Sequence, residues 1–428
     1  MSALRRRTLF FGAAALLLAS GALAPAQEVA LSEGQHIELK ELVALATQRS
    51  PLLDSLDTQA QASREGANQA RAWPGPSLAL EAGRKTEASR SGGRYEAAFE
   101  QPLPILGKPG LRGRLFGLEA ETRGASLDAA RLRVTLEVIR AVYEYAANRR
   151  RAAFVAKRQK RFELLRSYLA GREFPTPQRK AESLIVQNHI HQLVAAAVQS
   201  QAAYKATLER LKTYAPLAPG AYPELVVPWL TGGGSIDATD WSARALEGNP
   251  ELRVQRLAVQ AAGIEAALAS KEGYPEPSLL ASYEQARAAE TEKNYGLGLS
   301  LAFPSWNRNR SGIRSARRRK AAEERLLAFE EQRLRADLAR IAVEFEAARQ
   351  TAKQYPEAML GELMAQLKEA DEGFRKGQLD LLTFLELDDA VSETYERILQ
   401  AQLGLAAAAA ELLAATGETD PLARFGAL

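Results

Sequence analysis

No cysteine occurs anywhere in the chain, which excludes disulfides, thiolate metal sites and a lipid attached through an N-terminal cysteine. Histidine is almost as scarce. His36, His189 and His191 are the only three, and the last two sit two positions apart on a helix-like stretch, off a common face, so they do not make an i, i+4 ligand pair. Enzyme signatures are missing as well. No H-E-x-x-H, G-x-S-x-G, Walker loop or dinucleotide fingerprint occurs. Gly232-Gly233-Gly234 lacks the lysine and the strand-helix setting of a phosphate cradle. Carboxylates abound, but on periodic helices that imply no apolar cleft, so none is assigned acid or base work. The expected catalytic, cofactor-binding and metal-ligating residues are therefore none. Long apolar runs are also lacking after residue 26. The nearest, Ala401 to Ala415, is interrupted by Glu411 and falls short of the roughly 20 residues of a membrane-crossing helix. If this chain crosses a membrane, it must do so as strands.

What stands before residue 26 reads as an export signal. Arg5, Arg6 and Arg7 form a positive start, Leu9 to Leu18 a short apolar run, and Ala24-Pro25-Ala26 a small-residue cleavage site. Its removal takes away three of the 56 basic residues and no acid, leaving 53 against 52 acidic side chains. A near-neutral mature chain gives no electrostatic ground for a nucleic-acid partner. The basic runs from Arg149 to Arg161 and from Arg308 to Lys320 read as solvated helix faces.

The chain repeats itself. Leu39 to Tyr145 reappears from about Asp240 to Glu346 at an offset of about 200 positions: Ser50-Pro51 answers Asn249-Pro250, Pro74-Gly75-Pro76-Ser77-Leu78 answers Pro275-Glu276-Pro277-Ser278-Leu279, and Tyr95, Pro104 and Arg114 answer Tyr295, Pro304 and Arg314. The expected organisation is a signal peptide (1–26), a first copy (27–214), a linker (215–239), a second copy (240–416) and a tail (417–428).

Each copy reads as helix, strand pair, very long helix, turn, helix. Glu41 to Ala72 has helical periodicity and stops at the Pro74/Pro76 pair. Over 76–103 and 277–303 the period falls to two. Leu78, Leu80, Tyr95 and Phe99, and in the second copy Tyr295, Leu297, Leu299 and Leu301, alternate with small or polar residues. Segments of about ten residues with one apolar and one polar face suit a lipid-facing barrel strand. Taken alone, they suit a half-buried hairpin in a soluble domain better. Stoichiometry separates the two: one chain supplies four strands, whereas closed barrels in bacterial membranes start at about eight, so several chains would have to share one barrel. The long helices, 108–170 and 308–375, come to about 95 and 100 Å. Helices 177–214 and 380–416 run back after turns at 171–177 and 373–380. The expected fold is mainly α with a small β part.

These features resemble the TolC family of outer-membrane efflux proteins over essentially the whole mature chain. The second turn, Phe374-Arg-Lys-Gly377-Gln-Leu-Asp-Leu-Leu-Thr-Phe-Leu385, is similar to the family's aromatic-x-x-Gly helical tip. The resemblance implies a homotrimer with a twelve-stranded barrel in the outer membrane and a coiled-coil tunnel in the periplasm. It also implies an adaptor at the tips, which include Gly171, Arg172, Gly377, Gln378 and Leu379, and an RND-type inner-membrane pump. Aligning on Gly377 puts the family's two constricting acids at Thr383 and Glu386; only Glu386 is acidic, with Asp380, Asp388 or Asp389 as substitutes. Gln101-Pro-Leu-Pro-Ile-Leu-Gly107-Lys108 followed by Arg112 and Arg114 is similar to a stretch in cobalt-zinc-cadmium type members, which implies heavy-metal export. Export of organic compounds, type I secretion and a soluble periplasmic scaffold or adaptor stay open at this point.

Overall fold

Proline and its neighbours divide the helices. In the computed structural model the described residues are 36–87, 90–170, 176–214, 224–232, 238–287, 290–302, 308–418 and 424–425. The export signal, Gly171 and Arg172 lie outside them, as do parts of the linker and tail. The first copy runs β1 (His36–Glu38), α1 (Leu39–Arg49), α2 (Pro51–Arg71), β2 (Ser77–Glu87), β3 (Arg90–Pro102), α3 (Lys108–Ala170) and α4 (Pro177–Lys212). The linker adds β4 (Glu224–Val226). The second copy runs α5 (Ala238–Gly248), α6 (Pro250–Glu272), β5 (Glu276–Arg287), β6 (Thr291–Ala302), α7 (Arg310–Gln354), α8 (Ala358–Arg375) and α9 (Leu381–Thr416).

Two expected helices are split. The stretch 41–72 breaks at Ser50, whose ψ of 118° is extended because the ring of Pro51 excludes the helical conformation before it. The second copy breaks identically at Asn249 (ψ 118°), whose side-chain oxygen also accepts the backbone N–H groups of Glu251 and Leu252 as an N-cap. The expected 308–375 helix is likewise two helices, α7 and α8, separated at Tyr355–Glu357. Pro356 has no N–H to give and its ring clashes with the preceding turn. By contrast α3 is continuous over 63 residues, about 95 Å.

Strands β2, β3, β5 and β6 form one antiparallel sheet in that order. The two hairpins thus lie side by side, and the helices beneath them follow the same sequence of neighbours, α2 on α3, α3 on α6 and α6 on α7. A second, two-stranded sheet was not legible in the sequence: β1 and β4 pair in parallel, His36 opposite Glu224. The linker after β4 lies on α3 and α9. Tyr143 Oη donates to the Pro228 carbonyl at 2.7 Å. Gln402 both accepts from Leu230 N–H and donates to Leu230 C=O, each at 3.0 Å, so its amide serves the linker as a neighbouring strand would.

The core is distributed along the helices. A large cluster beside the linker joins Leu42, Ile139, Val142, Tyr145, Phe345, Leu405 and Leu413. A middle cluster gathers Phe154, Leu367, Tyr395 and Ile398. A third, near the tips, joins Phe162, Val186, Phe374 and Phe384. Each such side chain contributes about 1.5–3 kcal/mol when fully buried. Helix α9 is long and apolar enough to cross a membrane by composition alone, but it is packed among the other helices, with residues such as Leu405, Ala409 and Leu413 shielded.

Candidate functional site

The register assigns every strand residue to a face, because directly opposed residues in an antiparallel pair point the same way. Leu78 opposes Phe99, and Leu80 opposes Ala97. Phe99 opposes Ala281, and Gln101 opposes Leu279. Leu279, Ala281 and Tyr283 oppose Leu299, Leu297 and Tyr295, while Pro277 opposes Leu301. All eight residues expected to face lipid, Leu78, Leu80, Tyr95, Phe99, Tyr295, Leu297, Leu299 and Leu301, therefore share one face of the four-stranded sheet. All eight are exposed on the single chain, Leu297 at 86%. A large apolar patch of this kind on one chain marks a surface meant for a non-aqueous neighbour.

The other face is charged. Glu81, Glu96, Glu284 and Asn294 lie in one row across the sheet. Arg94 reaches Glu96 at 2.8 Å and Glu284 at 2.6 Å, and Lys85 reaches Glu292 at 2.5 Å. The outer edges of β2 and β6 pair with no strand among the described residues, leaving a row of backbone donors and acceptors on each.

The Gln101 to Lys108 motif sits where the sheet meets the helices. Gln101 Nε2 donates to the carbonyls of Pro74 and Pro102, both at 3.0 Å. Gly107 turns the chain at φ +71°, a conformation that favours glycine. Lys108, with a side chain only 7% exposed, donates to the Tyr274 carbonyl at 3.4 Å and lies 3.3 Å from Glu276. The motif thus ties the first copy to the second at the seam between their hairpins.

At the second tip Gly377 adopts φ +73°, and Gln378 N–H reaches back to the Gly373 carbonyl at 2.9 Å, closing α8 with a Schellman turn. Gln378 is exposed and Leu379 is packed partly on the tip cluster. Asp380 caps α9, accepting from Thr383 N–H at 2.9 Å and Thr383 Oγ1 at 3.0 Å. The Thr383 backbone bond, followed by its hydroxyl bond, holds the Asp380 carboxyl below its usual range. Thr383 and Glu386 are exposed on the first turns of α9. Replacing Gly377 by alanine is expected to cost the tip about 1 kcal/mol, since a Cβ there is strained although it meets no neighbour. Thermal unfolding checks this, and an unchanged midpoint would contradict the turn's dependence on glycine.

Asp388 is not available as a substitute constricting acid, because it is completely buried within the chain. Arg158 donates to it through Nε at 2.9 Å and also through Nη2, and Arg161 Nη1 donates to its other oxygen at 3.0 Å. Arg158 further reaches Ser392 at 2.7 Å and Asp389 at 3.1 Å. His189 completes the group: its Nε2 lies 3.9 Å from both Asp388 and Asp389, and its ring packs on Phe162 with centroids 4.4 Å apart. This knot joins α3, α4 and α9, and separations of about 200 residues hid it. One signal was legible: Arg158 lies between Phe154 and Phe162, and Asp388 between Phe384 and Val391, at helical spacing on stripes that are otherwise apolar. His189, Asp388 and Asp389 are ligand types gathered within 4.8 Å. Two guanidinium groups already donate to both oxygens of Asp388, and one of them also to Asp389, so a divalent cation would compete with them.

Residues 241–418 match the family described as outer membrane efflux protein. Over those residues, most of the second copy, the chain is similar to that family. The match ends close to the second copy's own limits, and the first copy repeats its strand and helix order. The efflux fold also extends over nearly the whole chain in solved structures. CusC has 12% identity, covers 92% of this chain and 95% of its own, and has a TM-score of 0.72. A membrane protein of Pseudomonas aeruginosa has 18% identity, coverage of 90% and 91%, and a TM-score of 0.70. The open-state MtrE outer membrane channel of Neisseria gonorrhoeae has 17% identity, coverage of 89% for both chains, and a TM-score of 0.69. Structural likeness at identities this low shows the TolC-like channel fold alone. No curated protein sequence matches the chain significantly.

Proposed function

We propose that three copies of this chain close a twelve-stranded barrel in the outer membrane and form one passive efflux duct, fed by a periplasmic adaptor and an RND-type inner-membrane pump. The observation that carries this reading is the sheet with eight large apolar residues exposed on one face, carboxylates on the other and two unpaired edges. Lipid satisfies the first face and water the second. Only strands from further copies satisfy the edges without leaving backbone groups bare in the bilayer. In this reading the helical bundle lies in the periplasm. Gly377, Gln378 and Leu379, with Gly171 and Arg172 of the other turn, meet the adaptor, and Glu386 faces the narrow end of the tunnel with Thr383 and the capping Asp380.

The cargo this chain favours is cationic, with heavy-metal cations inside that class. Support comes from the row Glu81, Glu96 and Glu284, which threefold repetition turns into a belt of carboxylates around the lumen, only partly offset by Arg94. Within the Gln101 to Lys108 motif, the two polar side chains already have partners in the chain, Gln101 at Pro74 and Pro102 and Lys108 at Tyr274 and Glu276. The mature protein is expected to behave as a detergent-extracted, heat-modifiable trimer that conducts in planar bilayers with cation preference. Glu386→Gln and the triple change of Glu81, Glu96 and Glu284 to Gln should each lower that preference. A monomer soluble without detergent would end the duct reading, and selectivity unmoved in both variants would end the cationic one.

A further inference from the structure

We propose that His189 makes the joint between the two helical hairpins proton-sensitive, so that mild acidity loosens α4 and α9 near the tip. Three observations place the sensor. First, Nε2 of His189 is buried and has no hydrogen-bond partner. It is aimed at Asp388 and Asp389, 3.9 Å away from each, but both oxygens of Asp388 already accept from Arg158 and Arg161. Second, the charges facing the imidazole are balanced before it titrates: Arg158 and Arg161 from α3 against Asp388 and Asp389 from α9. A protonated ring is a third cation beside two acids that already have guanidinium partners. Third, one side of the ring lies against Phe162, whose own side chain is fully buried in the tip cluster with Phe384, and the His189 side chain as a whole is only 15% exposed.

Burial holds the imidazole below its ordinary value of 6.5, with Asp389 opposing, Arg158 reinforcing and Asp388 opposing. The sign follows from linkage. A histidine whose folded value is depressed binds fewer protons folded than unfolded, so its contribution is intact above about pH 6.5 and is lost as the pH falls toward the folded value. Carboxylates that lose protons near pH 4 do not contribute in that window. The joint lies within a single chain and does not depend on how many copies assemble.

The test is hydrogen exchange on the full-length detergent-solubilised protein between pH 7.5 and 5.5, with rates corrected for intrinsic chemistry. Backbone amides of α4 around His189 and of α9 around Asp388 should open up to about tenfold more per pH unit as the imidazole titrates. Amides of α3 from Val138 to Tyr145, in the cluster beside the linker, should not respond. His189→Gln should flatten the response at the tip. If that variant does not assemble, His189→Phe, which keeps the ring on Phe162, takes its place with the same expected result. Exchange that is unchanged or slower at pH 5.5 in the native protein would overturn the proposal, because the carboxylates would then stabilise the charged ring. A pH response that persists in the variants would overturn it too, as would protection of the same amides by added zinc at constant pH, which would make the group a ligand set.

Discussion

Arginine at position 299 should prevent the protein from assembling in the outer membrane, whereas arginine at position 300 should leave the trimer in place. The two residues are neighbours on β6 and differ only in face. Leu299 opposes Leu279 and is 70% exposed on the apolar side. Ser300 opposes Ser278 on the side of Gly298 and the carboxylate row. A lipid-facing arginine near mid-bilayer costs about 2–4 kcal/mol, and a threefold barrel incurs that cost in each copy, which is comparable to the total stability of many domains. An arginine in an acidic lumen stays hydrated. The measurement is the yield of heat-modifiable trimer in outer-membrane fractions. Equal yields from Leu299→Arg and Ser300→Arg would show that the faces have been assigned wrongly.

The second large effect concerns the buried knot. Arg158→Met is expected to cost about 3–5 kcal/mol, because it strips Asp388 of its two-pronged partner while leaving the carboxylate sealed from water. Arg161 still holds one oxygen, which places the loss toward the lower end of that range. Changing Asp388 to leucine in the same background should recover most of it, since an apolar pair of similar volume replaces a buried ion pair at little cost. Denaturant unfolding of the detergent-solubilised protein measures both. A single variant within about 1 kcal/mol of the native protein would mean that water reaches Asp388, and that the knot is an ordinary surface pair.

Much of the architecture was legible because it is written in local terms. Alternation at Leu78-Leu80 and Tyr295-Leu301 set the strands and their faces, and the proline pair after α2 ended it where expected. The halves announced each other through Ser50-Pro51 and Asn249-Pro250. What escaped is of two kinds. The pairing of β1 with β4 involves three-residue strands almost 190 positions apart, too short for any periodic signal. The Arg158, His189 and Asp388 group escaped for the same reason of distance. Pro356, by contrast, stood in plain sight, and the strong periodicity on either side concealed its effect. Asp380 was also readable: an aspartate three residues before Thr383, at the start of an apolar stripe, is an N-cap signature, and the structure finds its carboxylate occupied there.

Pro356 has a mechanical consequence. The equivalent point in the first copy, Ala156, lies inside the unbroken α3, so that helix can bend only by straining many successive hydrogen bonds slightly. The second copy has a ready-made elbow, where turning α8 against α7 disturbs few bonds because few are formed. A duplicated molecule thus carries one stiff spar and one jointed arm. Elastic compliance is concentrated in the arm that leads to Gly377.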